Sequence, residues 1–215
     1  MSLRLTNRDK ETMRWLNTFG FVDMKCIAKQ WGVKEVTAYN RIKKLEDEGY
    51  IKHKTVLAGD KPAYYLTKEG VAVVSSELPP IKSIQPLTYK HDLNIIRLSQ
   101  YLLKTHGGLF VTERQVRARA GKNGLNYGDR YPDGELRLHG KCYAIEVELC
   151  KKSNQRREKI FKSYLKKIEY THVWYFCGSA EVKRQLEKFT KNYAFLKLFE
   201  LDAIFNHQAS LCIAS

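Results

Sequence analysis

Apolar and polar positions along the first third of the chain alternate with helical periods. Met13, Leu16 and Phe19 recur at three-residue spacing, with Trp15 widening the stripe, and predict a helix over residues 7–19. Asp23 is placed to cap a second short helix, MKCIAKQW, which stops at Gly32. A third helix is predicted over residues 35–48, with Val36, Tyr39, Ile42 and Leu45 as its buried stripe and Gly49 as its stop. Two β-rich runs then flank AGDK, a hairpin turn signal. Thr67 caps a further helix running to about Glu77.

Helix, helix, helix, hairpin is the order of a winged helix-turn-helix. Leu78-Pro79-Pro80 breaks the pattern, and a linker is expected over residues 79–88. A helix from Tyr89 to Lys104 follows, carrying Leu93, Ile96, Leu98, Tyr101 and Leu102, and Gly107-Gly108 ends it. LFVTERQVR predicts a strand running into polar sequence, and AGKNGLNYGDRY a loop. Strand GELRLH, a turn, strand CYAIEVEL, a long helix to about Glu169, strand HVWYFC, a helix over residues 180–191 and strand AFLKLFEL complete the pattern. The tail after Asp202 has no clear period. The expected fold class is therefore α/β (α+β): a winged helix-turn-helix over residues 1–78, then a mixed sheet with flanking helices over residues 89–215.

Charge changes this picture. The 215 residues carry a net charge of +15, with a pI near 9.6, which points to a polyanionic partner and most readily to double-stranded DNA. Residues 1–78 hold fourteen Lys and Arg against ten Asp and Glu; the remainder holds twenty-four against thirteen, so most of the excess lies in the second module. No apolar run approaches the ~18 residues of a membrane helix, and the N-terminus has no apolar signal core. The five cysteines, Cys26, Cys142, Cys150, Cys177 and Cys212, form no CxxC pair. They support neither a zinc site nor a disulfide framework, and fit free thiols in a cytoplasmic protein without a membrane partner.

Candidate chemistry falls in three places. The polar side of the third helix offers Lys34, Thr37, Asn40, Arg41 and Lys44 for base and phosphate contacts, and the hairpin adds Lys52, His53, Lys54 and Lys61. The stretch YPDGELRLHGKCYAIEVEL holds Asp133, Glu146 and Glu148. Strand alternation puts Glu146 and Glu148 on one face and Tyr143, Ile145, Val147 and Leu149 on the other. Two carboxylates buried together need a cation or a basic neighbour, while a solvated strand face is the alternative. From Lys151 to Lys167 the sign reverses: Lys151, Lys152, Arg156, Arg157, Lys159, Lys162, Lys166 and Lys167 oppose only Glu158. These residues are expected on the outer side of a helix buried through Ile160, Phe161, Tyr164, Leu165 and Ile168, in position to hold phosphates.

YPDGELRL followed by YAIEVELCKKSNQRREKIFKSY resembles the replication-relaxation family and related plasmid mobilisation accessory proteins of the MobC type. KHDLNIIRLSQYLL and VTERQVR match the same family, and the resemblance runs from about Thr6 to Phe176. It implies a restriction-endonuclease-like core of the PD-(D/E)xK type. Glu113, Asp133 and Glu146 would then hold a divalent metal, magnesium or manganese, and Asp133, Glu146 and Glu148 would be the catalytic set, vestigial or active. Glu148 stands where that motif has a lysine that activates water, although Lys151, Gln155 and Lys159 could reach back from the following helix. The resemblance implies a DNA-binding accessory factor that acts near an origin of transfer and assists a relaxase, the nuclease-like domain not cutting. An active metal-dependent endonuclease and a winged-helix transcriptional regulator are the competing expectations.

Overall fold

The computed structural model of the chain describes residues 3–122 and 130–206. Residues 123–129 of the expected loop AGKNGLNYGDRY and the end of the tail, with Cys212, lie outside the described residues. The fold is mixed α/β, and the chain divides into two compact units. One contains the residues up to Tyr101 together with Arg117–Lys122; the other contains Leu102–Val116 and the described residues from Arg130 onward.

The first unit opens with helix α1 (Asn7–Phe19), fixed at its start by a reciprocal cap between Thr6 and Asp9. Strand β1 (Val22–Asp23) leads into helix α2 (Met24–Trp31). The Asp23 carboxylate accepts the Cys26 N–H at 2.8 Å, and Gly32 closes the helix in the left-handed conformation. Three residues later helix α3 (Glu35–Asp47) begins. Strands β2 (Ile51–Lys54) and β3 (Ala63–Leu66) form the hairpin, turning through Gly59. β3 sits between β1 and β2, so three antiparallel strands make a small sheet.

Helix α4 (Lys68–Val73) starts on the Thr67 cap and ends earlier than the expected Glu77. Gly70 is required there: a Cβ on it would lie 2.1 Å from the Tyr50 carbonyl oxygen. The core of this unit contains Met13, Leu16, Ile27, Ala38, Ile42, Leu45 and Leu66. It also takes in Ile84, Tyr89, Leu93 and Ile96. Helix α5 (Tyr89–His106) thus gives its first turns to the first unit, where the sequence places the boundary at residue 78.

The second unit is built on a five-stranded sheet. Strand β4 (Leu109–Thr112) passes directly into helix α6 (Glu113–Lys122), where the sequence predicts polar chain and the start of a loop. β5 (Gly134–Leu138) and β6 (Lys141–Glu148) are joined by a tight turn with both His139 and Gly140 at positive φ. Helix α7 (Asn154–Tyr164), strand β7 (His172–Cys177), helix α8 (Ala180–Thr190) and strand β8 (Leu196–Glu200) follow.

The strand order is β4-β5-β6-β7-β8, antiparallel as far as β6 and parallel from β6 to β8. β6 is therefore central and buried on both faces, as parallel strands under helices usually are. Ala144, Val173, Tyr175 and Cys177 pack with Ile160, Phe161 and Tyr164 of α7 and with Val182 and Leu186 of α8. Among the described residues no helix is long and apolar enough to cross a membrane. Cys26 and Cys177 are buried free thiols, Cys142 is half-buried and Cys150 is exposed.

Candidate functional site

Helix α3 buries Ala38, Ile42 and Leu45. Val36 is 66% exposed and Tyr39 47% exposed, so neither belongs to the buried stripe the sequence suggests. Three-residue steps drift about 60° around a helix at each repeat, which carries Val36 and Tyr39 away from the face of Ile42. The outward side presents Lys34, Val36, Thr37, Asn40 and Lys44. The side chains of Lys34, Thr37, Asn40 and Lys44 make no hydrogen bond or ion pair with the described residues. Lys43 pairs with Asp47 at 2.9 Å.

Arg41 departs from that group. Its Nε donates to Asp9 Oδ1 at 2.9 Å, and a terminal nitrogen donates to Asp9 Oδ2 at 2.5 Å and to the Arg4 carbonyl at 3.1 Å. Asp9 is fully buried and also accepts the Thr6 N–H and hydroxyl, each at 2.7 Å. Burial would raise the Asp9 carboxyl, but hydrogen bonds from Arg41 and Thr6 outweigh it and hold the group below its ordinary value. Arg41 is thus committed to a fold-fixing pair. On the hairpin, Lys52 and Lys54 are exposed, His53 meets Glu46 at 2.5 Å, and Lys61 pairs with Glu35 at 2.6 Å.

In the second unit, β6 places Glu146 and Glu148 on the face that lies under α7, and both are buried. A solvated strand face, one of the two readings of the sequence, is not what forms. Basic and phenolic neighbours meet the carboxylates instead. Arg130 donates to Glu146 Oε2 at 2.7 Å, and the Tyr164 hydroxyl donates to Glu146 Oε1. Lys152 meets Glu148 at 2.6 Å. Lys151 pairs instead with Glu181, so of the basic residues after β6 it is Lys152 that reaches back to the motif.

Asp133 accepts the Val147 N–H at 2.7 Å, which fixes it beside the same strand. Burial, and then the charge of Asp133, push the Glu146 carboxyl up to about 7, against the pull of Arg130, Tyr164 and Lys152. Tyr175 stands opposite Glu146 in the parallel register. Its hydroxyl is buried with no hydrogen-bond partner among the described residues, and burial followed by the charge of Glu146 raises it well above the ordinary phenol value.

Glu113 opens α6 and is half-buried. Among the described residues no three His, Cys, Asp or Glu side chains are arranged to hold a metal ion. The structure brings Asp133 and Glu146 together; it does not assemble the expected trio of Glu113, Asp133 and Glu146 into a ligand set. Sequence reasoning missed Arg130, Tyr164 and Tyr175 as members of this site. Only Lys152, four residues after Glu148, had a spacing that could have signalled its partner.

The basic stretch divides in the same way. Helix α7 ends at Tyr164, short of the expected Glu169, and leaves Leu165 exposed and Ile168 97% exposed. Arg157, expected on the outer face, is 2% exposed and donates to Gln185 of α8 at 2.9 Å. Arg156 and Lys159 are exposed as expected. Lys159, Lys162, Ser163, Lys166, Lys167 and Arg130 line a cavity of about 450 Å³.

No family model matches the chain, and no curated protein matches it either.

Proposed function

We propose that this protein is a DNA-binding accessory factor of plasmid mobilisation that binds double-stranded DNA near an origin of transfer and assists a relaxase. The observation that carries the DNA-binding part is the outward side of α3, where Lys34, Thr37, Asn40 and Lys44 are exposed and uncommitted. The order of α1, β1, α2, α3 and the β2–β3 hairpin supports a winged helix-turn-helix, in which α3 enters the major groove and the hairpin touches the backbone. Asn40 suits adenine, Val36 suits a thymine methyl group, and Lys34, Lys44, Lys52 and Lys54 suit phosphates.

The mixed sheet and the Asp133–Glu146 pair support a restriction-endonuclease-like second domain. Glu148 at the lysine position, together with Glu146 held by Arg130 and Tyr164, supports holding DNA over cutting it. The mobilisation role rests on the resemblance of YPDGELRL and YAIEVELCKKSNQRREKIFKSY. A gel shift on transfer-origin duplex against a scrambled duplex tests the first part, with preference for the origin expected. Relaxase nicking of supercoiled plasmid tests the second, with stimulation expected on adding this protein. Equal binding to both duplexes, or no effect on nicking, would count against the corresponding part.

An active metal-dependent endonuclease is the second reading. It is favoured by one observation: the unpartnered Tyr175 hydroxyl beside the acidic pair, where a ligand oxygen or ion could complete its bonding. Incubation of the protein alone with supercoiled plasmid and magnesium or manganese separates the two readings. Nicking abolished by Asp133→Ala would establish the endonuclease.

A further inference from the structure

The cations after β6 are not equivalent. Lys151 is taken by Glu181, Lys152 by Glu148 and Arg157 by Gln185. Lys159, Lys162 and Lys166 have no hydrogen bond or ion pair with the described residues. Positions 159, 162 and 166 follow helical spacing, so α7 and the turn after it direct all three to one side. With Lys167, Arg130 and Ser163 they line the open cavity of about 450 Å³, within the ~300–1,000 Å³ range of small-molecule sites.

Among the described residues five cations line this concavity and no acid does. The two inner ones are held in place: Lys167 donates to the Arg130 carbonyl, and the Arg130 guanidinium is anchored on Glu146. Arg130 Nε is buried and has no hydrogen-bond partner among the described residues. Ser163 spends its hydroxyl proton on the Ile160 carbonyl at 2.6 Å, so it shapes the rim without donating to a ligand. The carbonyl end of α7 lies nearby with about half a negative charge, and Arg130 shares its charge with Glu146, but the four lysines outweigh both.

We propose that this cavity binds a phosphate group of a nucleic-acid strand. Lys159, Lys162 and Lys166 supply ammonium donors from the rim, and Arg130 and Lys167 supply the inner charge. A cluster of ammonium groups on one side suits a phosphate, whose several oxygens each accept point-charge donors, better than a planar carboxylate, which favours a bidentate guanidinium. The strand as the source of the phosphate rests on the proposed function. The phosphate chemistry of the cavity does not.

Titration calorimetry with inorganic pyrophosphate at constant ionic strength tests the cavity alone. Saturable binding is expected for the native chain, weakened at least tenfold in Lys162→Glu/Lys166→Glu. Lys162→Gln/Lys166→Gln serves as the variant if the charge reversal does not fold, as judged by circular dichroism and melting temperature. Absent pyrophosphate binding, or binding that both variants leave unchanged, would overturn the proposal. In parallel, oligonucleotides with and without a 5′-phosphate are titrated at several salt concentrations. Loss of a preference for the phosphorylated end in the variant assigns the cavity to strand ends. An equal loss on both oligonucleotides, with the salt slope lower by about 0.9 for each contact removed, assigns it to internal phosphates. Pyrophosphate binding without any nucleic-acid binding would overturn the strand as the source, and with it the proposed function, while leaving the cavity a phosphate site.

Discussion

Both units bury carboxylates against arginines, and two of these pairs, Asp9–Arg41 and Glu146–Arg130, have opposite characters. Asp9 of the first unit receives two hydrogen bonds from Arg41 and two from Thr6, and its carboxyl lies below the ordinary value. Glu146 of the second unit receives one from Arg130 and one from Tyr164, with Asp133 close by, and its carboxyl lies above the ordinary value. Burial raises both carboxyls; Asp9 has enough donors to outweigh it, whereas Glu146 has fewer donors and a second acid beside it. A buried carboxylate with enough donors and no like-charged neighbour is a fixture of the fold. A buried carboxylate facing another acid stores unfavourable interaction, which is the usual condition of groups kept for chemistry or for a ligand. On this contrast Arg41 belongs to the architecture of the first unit, and the Asp133–Glu146 pair is where function in the second unit should be sought.

The contrast predicts a ranking. Arg41→Ala strands a fully buried carboxylate and should cost about 3 kcal/mol in denaturant unfolding near pH 7. Arg130→Ala should cost about half of that, because Glu146 already takes up a proton near neutrality and can shed its charge. Equal losses would remove the distinction between the pairs. Tyr164→Phe deletes one donor to Glu146 and should cost about 1 kcal/mol. It should also move the Glu146 titration, followed by carboxyl NMR, further upward; a downward move would show that the hydroxyl does not support the ionised form.

The pairs should also respond oppositely to pH. Asp9 ionises more readily in the folded chain than in the unfolded one. It therefore contributes stability above about pH 4 that is lost as pH falls through its lowered folded value. Glu146 holds its proton more tightly when folded. Its contribution is complete below its ordinary value of 4.5 and is lost as pH rises to about 7. Glu146→Gln should flatten the stability profile between those limits and leave the acid limb intact. Asp9→Asn should do the reverse. A Glu146→Gln profile parallel to that of the native chain would show that the group is not raised.

Much of this fold was legible in the sequence, and the gaps have physical causes. Asp23 and Gly32 bracket α2 because capping is local chemistry that a few residues specify. The β5–β6 hairpin and the two later strands were visible through their alternation. The buried stripe of α3 was misplaced because Ala38 is small and Val36 and Tyr39 are large, although Ala38, Ile42 and Leu45 have the better helical spacing. A run of cations suggested one outer face, but Arg157 finds Gln185 across to α8, twenty-eight residues away. Arg130 and Glu146 are sixteen residues apart with no periodic relation, so only the folded sheet brings them together. The acids of the motif were found from spacing; the groups that neutralise them were not.

We propose that α3 reads DNA through its uncommitted side while Arg41 serves the fold. Fluorescence anisotropy with origin and scrambled duplexes, on the native chain and on Asn40→Ala, tests it most directly. A lost bidentate base contact removes about 1–3 kcal/mol of discrimination, so preference for the origin should fall at least fivefold while binding to the scrambled duplex and the melting temperature stay the same. An Asn40→Ala chain that keeps its full preference would contradict the claim.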